Sequence, residues 1–158
     1  MSTIDGASRH RAREAAIQML YQWEVGRVSA HEAVRTYWPG RDAPPSEEDE
    51  HADATPDVAV DEIGRTFANG LVAGTIARAA ETDDLIKAHT KNWRIERMAV
   101  IDRLIMRLAI YEMLTEEGTP AKVIINEALE LARTFSGEEP VPLINGVLDA
   151  VRKTLGRE

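Results

Sequence analysis

Apolar residues recur at helical spacing through almost the whole chain, and this pattern restricts the fold more than any other feature. The segments that carry it are residues 8–25, 29–38, 58–91, 96–115, 120–135 and about 142–155. Long alternating strand patterns are absent, and glycine and proline fall mainly between the periodic segments. The sequence therefore predicts an all-α protein with six helices, or seven if the segment 58–91 breaks near Glu81 and Thr82.

The chain length and the residue types that are missing exclude several classes of protein. A chain of 158 residues fits a single domain that buries roughly two-thirds of its unfolded surface. The absence of cysteine excludes disulfides, a cysteine zinc site and a thiol nucleophile. No apolar run approaches the roughly 18 residues of a membrane helix, and the N-terminus lacks the apolar core of a signal peptide. We therefore expect a cytoplasmic protein without membrane contact.

Residues that punctuate the periodic pattern predict where several helices begin and end. Ser8 and Ser29 are expected to cap the first two helices, and Pro39-Gly40 to end the second. Thr119-Pro120 predicts a capping residue followed by proline in the first turn of the fifth segment, which Ser136-Gly137 should end. Gly70 and Gly74, four residues apart, predict a close approach between helices. The buried candidates of segment 58–91 are Ile63, Phe67, Leu71, Ala77, Leu85 and Ile86.

The negative charge is concentrated in one part of the chain. The formal net charge is -8, but residues 42–64 hold nine acids and no Lys or Arg, which leaves 18 acids and 19 bases elsewhere. Within this region, residues 40–57 are rich in proline and acids and cannot form a packed core, so we expect a flexible loop there. The acidic balance therefore does not exclude a nucleic-acid partner, because phosphate binding depends on where the bases cluster.

A basic cluster opens the first helix. Arg9, His10, Arg11 and Arg13 lie within five residues. Basic side chains at a helix N-terminus oppose the helix dipole, at a cost of roughly a few tenths of a kcal/mol each. Their placement points to a role outside the helix, although a solvated first turn is an equally simple interpretation.

The sequence contains no pattern typical of an enzyme. None of the four histidines is spaced for joint metal ligation on one helix face, and a nucleophile elbow, a Walker loop and a dinucleotide fingerprint are all missing. We therefore expect no catalysis, no metal and no cofactor.

RNA binding is the more specific interpretation of the first helix. The arginine fork suits phosphate and stacks on bases, and an aromatic side chain can carry an unstacked base of single-stranded RNA. Tyr21 lies on the polar side of the same helix and could serve as such a platform. Packing of Tyr21 against the second helix remains the alternative. The residues themselves thus predict a compact helical protein whose basic N-terminal edge could bind RNA.

Four stretches, taken together and in this order, resemble the NusB family of transcription antitermination factors. They are SRHRAREAAIQMLYQWE (8–24), WRIERMAVIDRLIMRLAIYEML (93–114), TPAKVIINEALELARTFSGEE (119–139) and LINGVLDAV (143–151). The resemblance implies one domain of two three-helix bundles, an N-terminal bundle at about 8–91 and a C-terminal bundle at about 96–155. It also implies a non-catalytic protein that binds the single-stranded boxA element of nascent ribosomal RNA with the ribosomal protein NusE, and meets other Nus factors and RNA polymerase indirectly. When free, the chain would be a monomer or a weak homodimer.

The resemblance also assigns candidate residues. The RNA-binding set consists of Arg9, His10, Arg11, Arg13, Gln18, Tyr21 and Asn145. The NusE-binding set consists of Asp102, Arg103, Arg107, Tyr111, Glu112, Glu127 and Glu130. Ion pairs within the fold would explain the second set equally well.

The chain departs from the family pattern before its last helix. Where the family often has Ser-x-Lys/Arg-Phe, this chain has Pro140, Val141, Pro142 and Leu143. We expect the RNA contacts to be distributed differently and to depend more on NusE. The alternative hypothesis is a helical protein-interaction module with little RNA binding of its own.

Overall fold

The computed structural model describes residues 5–42, 60–90 and 95–158, and of residues 40–42 it describes the backbone alone. These ranges contain seven α-helices and no strand, which confirms the predicted all-α class. The helices are α1 (Gly6–Val25), α2 (Ala30–Asp42), α3 (Glu62–Ala77), α4 (Ala79–Ala88), α5 (Val100–Thr115), α6 (Ala121–Phe135) and α7 (Val141–Thr154). A short 3-10 turn, Ile95–Arg97, precedes α5.

The helices form two groups, and α5, a member of the second, also contacts the first. In the first group α1 lies against α2 and α3, and in the second α5 lies against α6 and α7. Both α1 and α3 also pack on α5, and α4 contacts α5 and α7. The core is continuous across the groups, with fully buried side chains such as Leu20 of α1, Ile105 of α5 and Leu148 of α7. Burial of each such side chain stabilises the fold by about 1.5–3 kcal/mol.

Several helix ends differ from the sequence prediction. Asp5, and not Ser8, caps α1: its carboxylate accepts the backbone N–H of Ser8 at 2.7 Å. Ser29 caps α2 as predicted, by accepting the backbone N–H of Glu32 at 3.0 Å. That helix continues through Pro39 to Asp42, so only its predicted end was wrong. The capping position of α6 is occupied by Pro120, one residue after the predicted cap Thr119, and no side chain forms a capping hydrogen bond there.

Segment 58–91 divides into α3 and α4 at Arg78, three residues before the predicted break. Of the two glycines predicted to allow a close approach, Gly74 packs directly on the Tyr111 ring of α5, whereas Gly70 faces open space.

The predicted burial of Ile63 and Ala77 was wrong. The buried stripe of α3 runs through Gly64, Ala68, Leu71, Val72 and Thr75, and both residues lie off it at 100° per residue.

Part of the sequence prediction lies beyond the described residues. The acidic loop predicted at 40–57 lies outside them from residue 43 onward, and its first three residues belong to α2. Within the described ranges, every helix is too short or too polar to cross a lipid bilayer.

Candidate nucleic-acid interface

The first two turns of α1 place the members of the basic cluster in different environments. Arg9 is half-buried: its guanidinium lies 5.6 Å from the ring centre of Phe67, and its Nη1 donates to the Thr119 hydroxyl at 3.2 Å. Within the described part of the chain, its Nε is buried and lacks a hydrogen-bond partner. Arg9 is thus held by α3 and by the turn before α6, and part of its donor fork stays uncommitted.

Arg13 lies in the interior. Only 3% of it is exposed, and its guanidinium donates to both carboxylate oxygens of Glu112, at 2.7 and 2.8 Å. Desolvation alone would lower the pKa of Arg13, but the hydrogen bonds and charge of Glu112 outweigh it, with Glu127 and Glu116 adding to them, and the pKa lies above its ordinary value. Arg13 therefore stays charged and joins α1 to α5, and its burial does not fit direct contact with RNA.

His10 joins α1 to α6. Its Nδ1 lies 2.7 Å from Glu127, and its Nε2 lies 2.7 Å from Glu14, one turn along the same helix. His10 therefore bridges Glu14 and Glu127 and links the first turns of α1 to α6.

Arg11 is the member of the cluster that stays available. It is half-exposed, and no other described residue forms an ion pair or a hydrogen bond with its side chain. Gln18 and Gln22 follow it at seven and eleven residues, so all three share one face of α1. Arg11 therefore lies on the face of α1 that leads to a groove.

The groove, which we call the α1 groove, has a volume of about 700 Å³. It is lined by Ile17, Gln18, Tyr21 and Gln22 of α1, Tyr37 of α2, residues 99–101 and Phe135 of α6. Gln18 accepts the Tyr37 hydroxyl at 2.5 Å, which leaves the amide nitrogen of Gln18 without a partner among the described residues. Tyr21 is 41% exposed. The groove therefore combines aromatic faces with the side-chain amides of Gln18 and Gln22.

The structure brings together some of the candidate residues and separates others. Arg11, Gln18 and Tyr21 lie along one side of α1, whereas the exposed Asn145 on α7 is not part of the groove. Sequence reasoning missed Tyr37 and Phe135 as groove residues. Phe135 is assigned to the buried face of α6 by its spacing, yet it is the last residue of that helix and only partly buried. An aromatic residue beside the Ser136-Gly137 helix end was the available signal.

The candidate partner-binding residues do not form one surface. Arg107 and Glu112 are buried, with 8% and 1% exposed, because α5 is surrounded by the other helices. Arg107 donates to both oxygens of Asp83 on α4, at 2.6 and 2.7 Å. Arg103 donates to Glu24 of α1 at 2.9 Å. These three hold α5 in place, and their burial or pairing does not fit direct contact with a partner.

The remaining candidates are more accessible. Glu130 is 57% exposed and pairs with Arg133, one turn along α6. Glu127 keeps a quarter of its side chain exposed while it binds His10. Tyr111 and Asp102 are half-buried, and one carboxylate oxygen of Asp102 has no hydrogen-bond partner within the described ranges.

The sequence matches the model of the NusB family over residues 10–153. The chain belongs to the NusB family. Its relatives include the transcription antitermination protein NusB of Solibacter usitatus (strain Ellin6076), which is 46% identical over 149 residues, 94% of this chain and 91% of that protein. This assignment confirms the resemblance predicted from the four sequence stretches.

Two solved structures show the same fold. NusB of T. maritima is 28% identical, with a TM-score of 0.74 over 97% of this chain and 93% of that one. A structure of the antitermination factors NusB and NusE in complex with double-stranded RNA gives a TM-score of 0.75 at 19% identity, over 95% of this chain and 99% of that one. The predicted NusB-like helical fold is therefore confirmed.

Proposed function

We propose that this NusB-family chain is a non-catalytic, RNA-binding transcription antitermination factor that acts together with NusE. Membership of the family supports antitermination, since the curated relatives carry that function in their names. The observation that carries RNA binding is the α1 groove, where Tyr21 and Phe135 offer aromatic faces. Arg11 lies outside the groove, seven residues before Gln18 on the same face of α1. The chain would act in the cytoplasm.

The chemistry of the groove favours a single strand over a duplex. Bases of a single strand are free to stack on aromatic side chains, at about 1–3 kcal/mol per base, whereas those of a duplex are already stacked. The donors of Gln18 and the guanidinium of Arg11 would bind base edges and phosphate. The ligand we propose is the single-stranded boxA element of nascent ribosomal RNA.

The structural neighbour that was solved with NusE supports the choice of partner. Through NusE the chain would join other Nus factors and RNA polymerase indirectly. We propose that the accessible acids Glu127 and Glu130, together with Asp102 and Tyr111, contribute to the NusE surface. When free, the chain would be a monomer or a weak homodimer.

Titration of RNA with and without NusE tests this function. The RNAs are a boxA-like single strand, a scrambled strand of the same length and a duplex of the boxA-like sequence. We expect the boxA-like strand to bind most tightly, and NusE to increase its affinity, because the pair presents more contacts than either protein alone.

Equal affinity for the scrambled and boxA-like strands, with and without NusE, would contradict sequence recognition. Preference for the duplex would contradict the stacking role of Tyr21 and Phe135. Binding of NusE without any gain in RNA affinity would favour the interaction-module alternative.

A further inference from the structure

Arg157, beyond the end of α7, folds back against the turn that joins α5 to α6. Its guanidinium donates to the backbone carbonyls of Met113, of Glu116 at 3.0 Å and of Thr119 at 2.7 Å. The last carbonyls of a helix have no partner within the helix, and the five donors of arginine can serve several of them at once. Arg157 therefore fixes the end of α5 and the turn after it.

Hydrogen bonds from two other residues, Arg152 and Ala121, hold this arrangement in place. The side chain of Arg152 donates to the backbone carbonyl of Arg157 at 3.0 Å, while Asp149 accepts the same guanidinium at 2.9 Å. The backbone N–H of Ala121, the first residue of α6, donates to the carbonyl of Glu158 at 2.9 Å. Arg157 thus reaches the turn from a segment that is itself tied to α6 and α7.

The same turn holds an arginine of the candidate RNA interface. Thr119 is 6% exposed, and while its carbonyl accepts from Arg157, its hydroxyl accepts from Arg9. One buried residue therefore connects the two guanidinium groups. The guanidinium of Arg9 also lies 5.6 Å from the ring centre of Phe67, so Thr119 and Phe67 together restrict its orientation.

We propose that Arg157 is a positioning residue for RNA binding, which acts through Thr119 to orient the guanidinium of Arg9 toward a phosphate. The inference rests on the proposed function, because it requires RNA binding and, in addition, a contact from Arg9, which the family resemblance assigns to the RNA-binding set. An arginine that is already ordered loses less side-chain entropy when it binds. Loss of this ordering is expected to weaken RNA binding about three- to tenfold.

A double-mutant cycle tests the coupling. RNA affinity is measured, with NusE present, for the unmodified chain, Arg9→Ala, Arg157→Ala and the double variant. We expect Arg157→Ala to weaken binding in the unmodified chain and to have almost no effect when Arg9 is already alanine. Equal weakening in both backgrounds would show that Arg157 acts independently of Arg9, and would overturn the proposal.

Thr119→Val provides a second route if Arg157→Ala fails to fold. It keeps the backbone carbonyl that Arg157 binds and removes only the hydroxyl that Arg9 binds. We expect Thr119→Val to weaken RNA binding as much as Arg157→Ala does. Unchanged affinity in Thr119→Val, while Arg9→Ala weakens binding, would overturn the positioning role alone. Unchanged affinity in Arg9→Ala would overturn the assignment of Arg9 to RNA binding and the positioning role with it, while the RNA titration with NusE tests the proposed function separately.

Discussion

Arg11 and Arg13 are two residues apart on α1, yet they have opposite surroundings. Arg11 lies on the face that leads into the α1 groove, whereas Arg13 lies beneath it against Glu112. The residues in contact with each side chain, rather than its type, thus decide whether an arginine of this cluster holds the fold or is available to RNA.

Replacement of Glu112 by alanine should strongly destabilise the protein. It leaves the buried charge of Arg13 without its bidentate partner, and loss of one member of a buried pair costs about 3–5 kcal/mol. The measurement is the free energy of unfolding in denaturant.

Glu130→Ala is the matched control. Glu130 also pairs with an arginine, but both side chains are exposed, so its loss should cost no more than about 1 kcal/mol. Equal destabilisation by the two substitutions would contradict a structural role for the buried pair.

The sequence could show which residues carry charge but not which of them meet. The Arg13–Glu112 pair joins residues 99 positions apart, and Glu127 lies 117 positions from His10. Helical spacing places Arg13 close to the apolar stripe of α1 but does not identify its partner. The partner, the carboxylate of Glu112, is brought to Arg13 by the packing of α5 against α1. The resemblance therefore assigned Arg13 and Glu112 to different interfaces, whereas the fold pairs them.

At the level of helices, the contact between α3 and α5 depends on one glycine. A methyl group at residue 74 would overlap the phenol of Tyr111, while one at residue 70 would meet nothing within 4 Å. Gly74→Ala should therefore destabilise the protein by about 1–3 kcal/mol through overpacking.

Gly70→Ala tests the same helix without that contact. It should stabilise the protein by up to about 1 kcal/mol, because alanine favours the helical backbone. Denaturant unfolding measures both variants. Similar effects of the two substitutions would contradict the close approach of α3 and α5.

The cap of α1 predicts a dependence of stability on pH. Hydrogen bonds from Ser8 lower the pKa of the Asp5 carboxyl below its ordinary value of 3.8, and Arg11 adds a smaller effect. A lowered folded pKa means that Asp5 stabilises the fold above the ordinary value, and that this contribution is lost as the pH falls through the folded pKa.

Asp5→Ala should therefore melt at a lower temperature than the unmodified chain near neutral pH. In strong acid this difference should shrink toward zero. Asp5→Asn retains a capping side chain without the charge and should melt between the two near neutral pH. A difference in melting temperature that does not change with pH would contradict a role for the ionised carboxylate.

Helix boundaries could be predicted where a local signal decides them. Ser29 caps α2 through its own hydroxyl, and Ser136-Gly137 ends α6, with Gly137 at φ 113°. The break at Arg78 has no such signal, because neither a side-chain cap nor a proline marks it. Tertiary contacts determine that boundary, since α3 packs on α1 and α5, whereas α4 packs on α5 and α7.

For the whole molecule, helical periodicity predicted the all-α class, and the resemblance supplied the arrangement of its helices. The sequence predicted the residues that α1 contributes to or near the groove, but not those of the opposite wall. Spacing placed Arg11, Gln18 and Tyr21 on the polar side of α1, but Phe135 enters from a helix more than a hundred residues later. The opposite wall of a groove depends on packing between elements, which periodicity within one helix does not specify.

The salt dependence of RNA affinity tests most directly whether the Arg11 face of α1 binds RNA. It is compared for the unmodified chain, Arg11→Ala and Arg78→Ala, with the boxA-like strand and NusE. Arg78 is an exposed arginine at the α3–α4 junction that does not line the groove.

Arg11→Ala should weaken binding roughly tenfold and reduce the slope of log affinity against log salt by about 0.7, the value for one phosphate contact on a single strand. Arg78→Ala should leave both quantities unchanged. If Arg11→Ala keeps the affinity and slope of the unmodified chain, or if Arg78→Ala lowers them equally, the Arg11 face of α1 is not the RNA-binding surface.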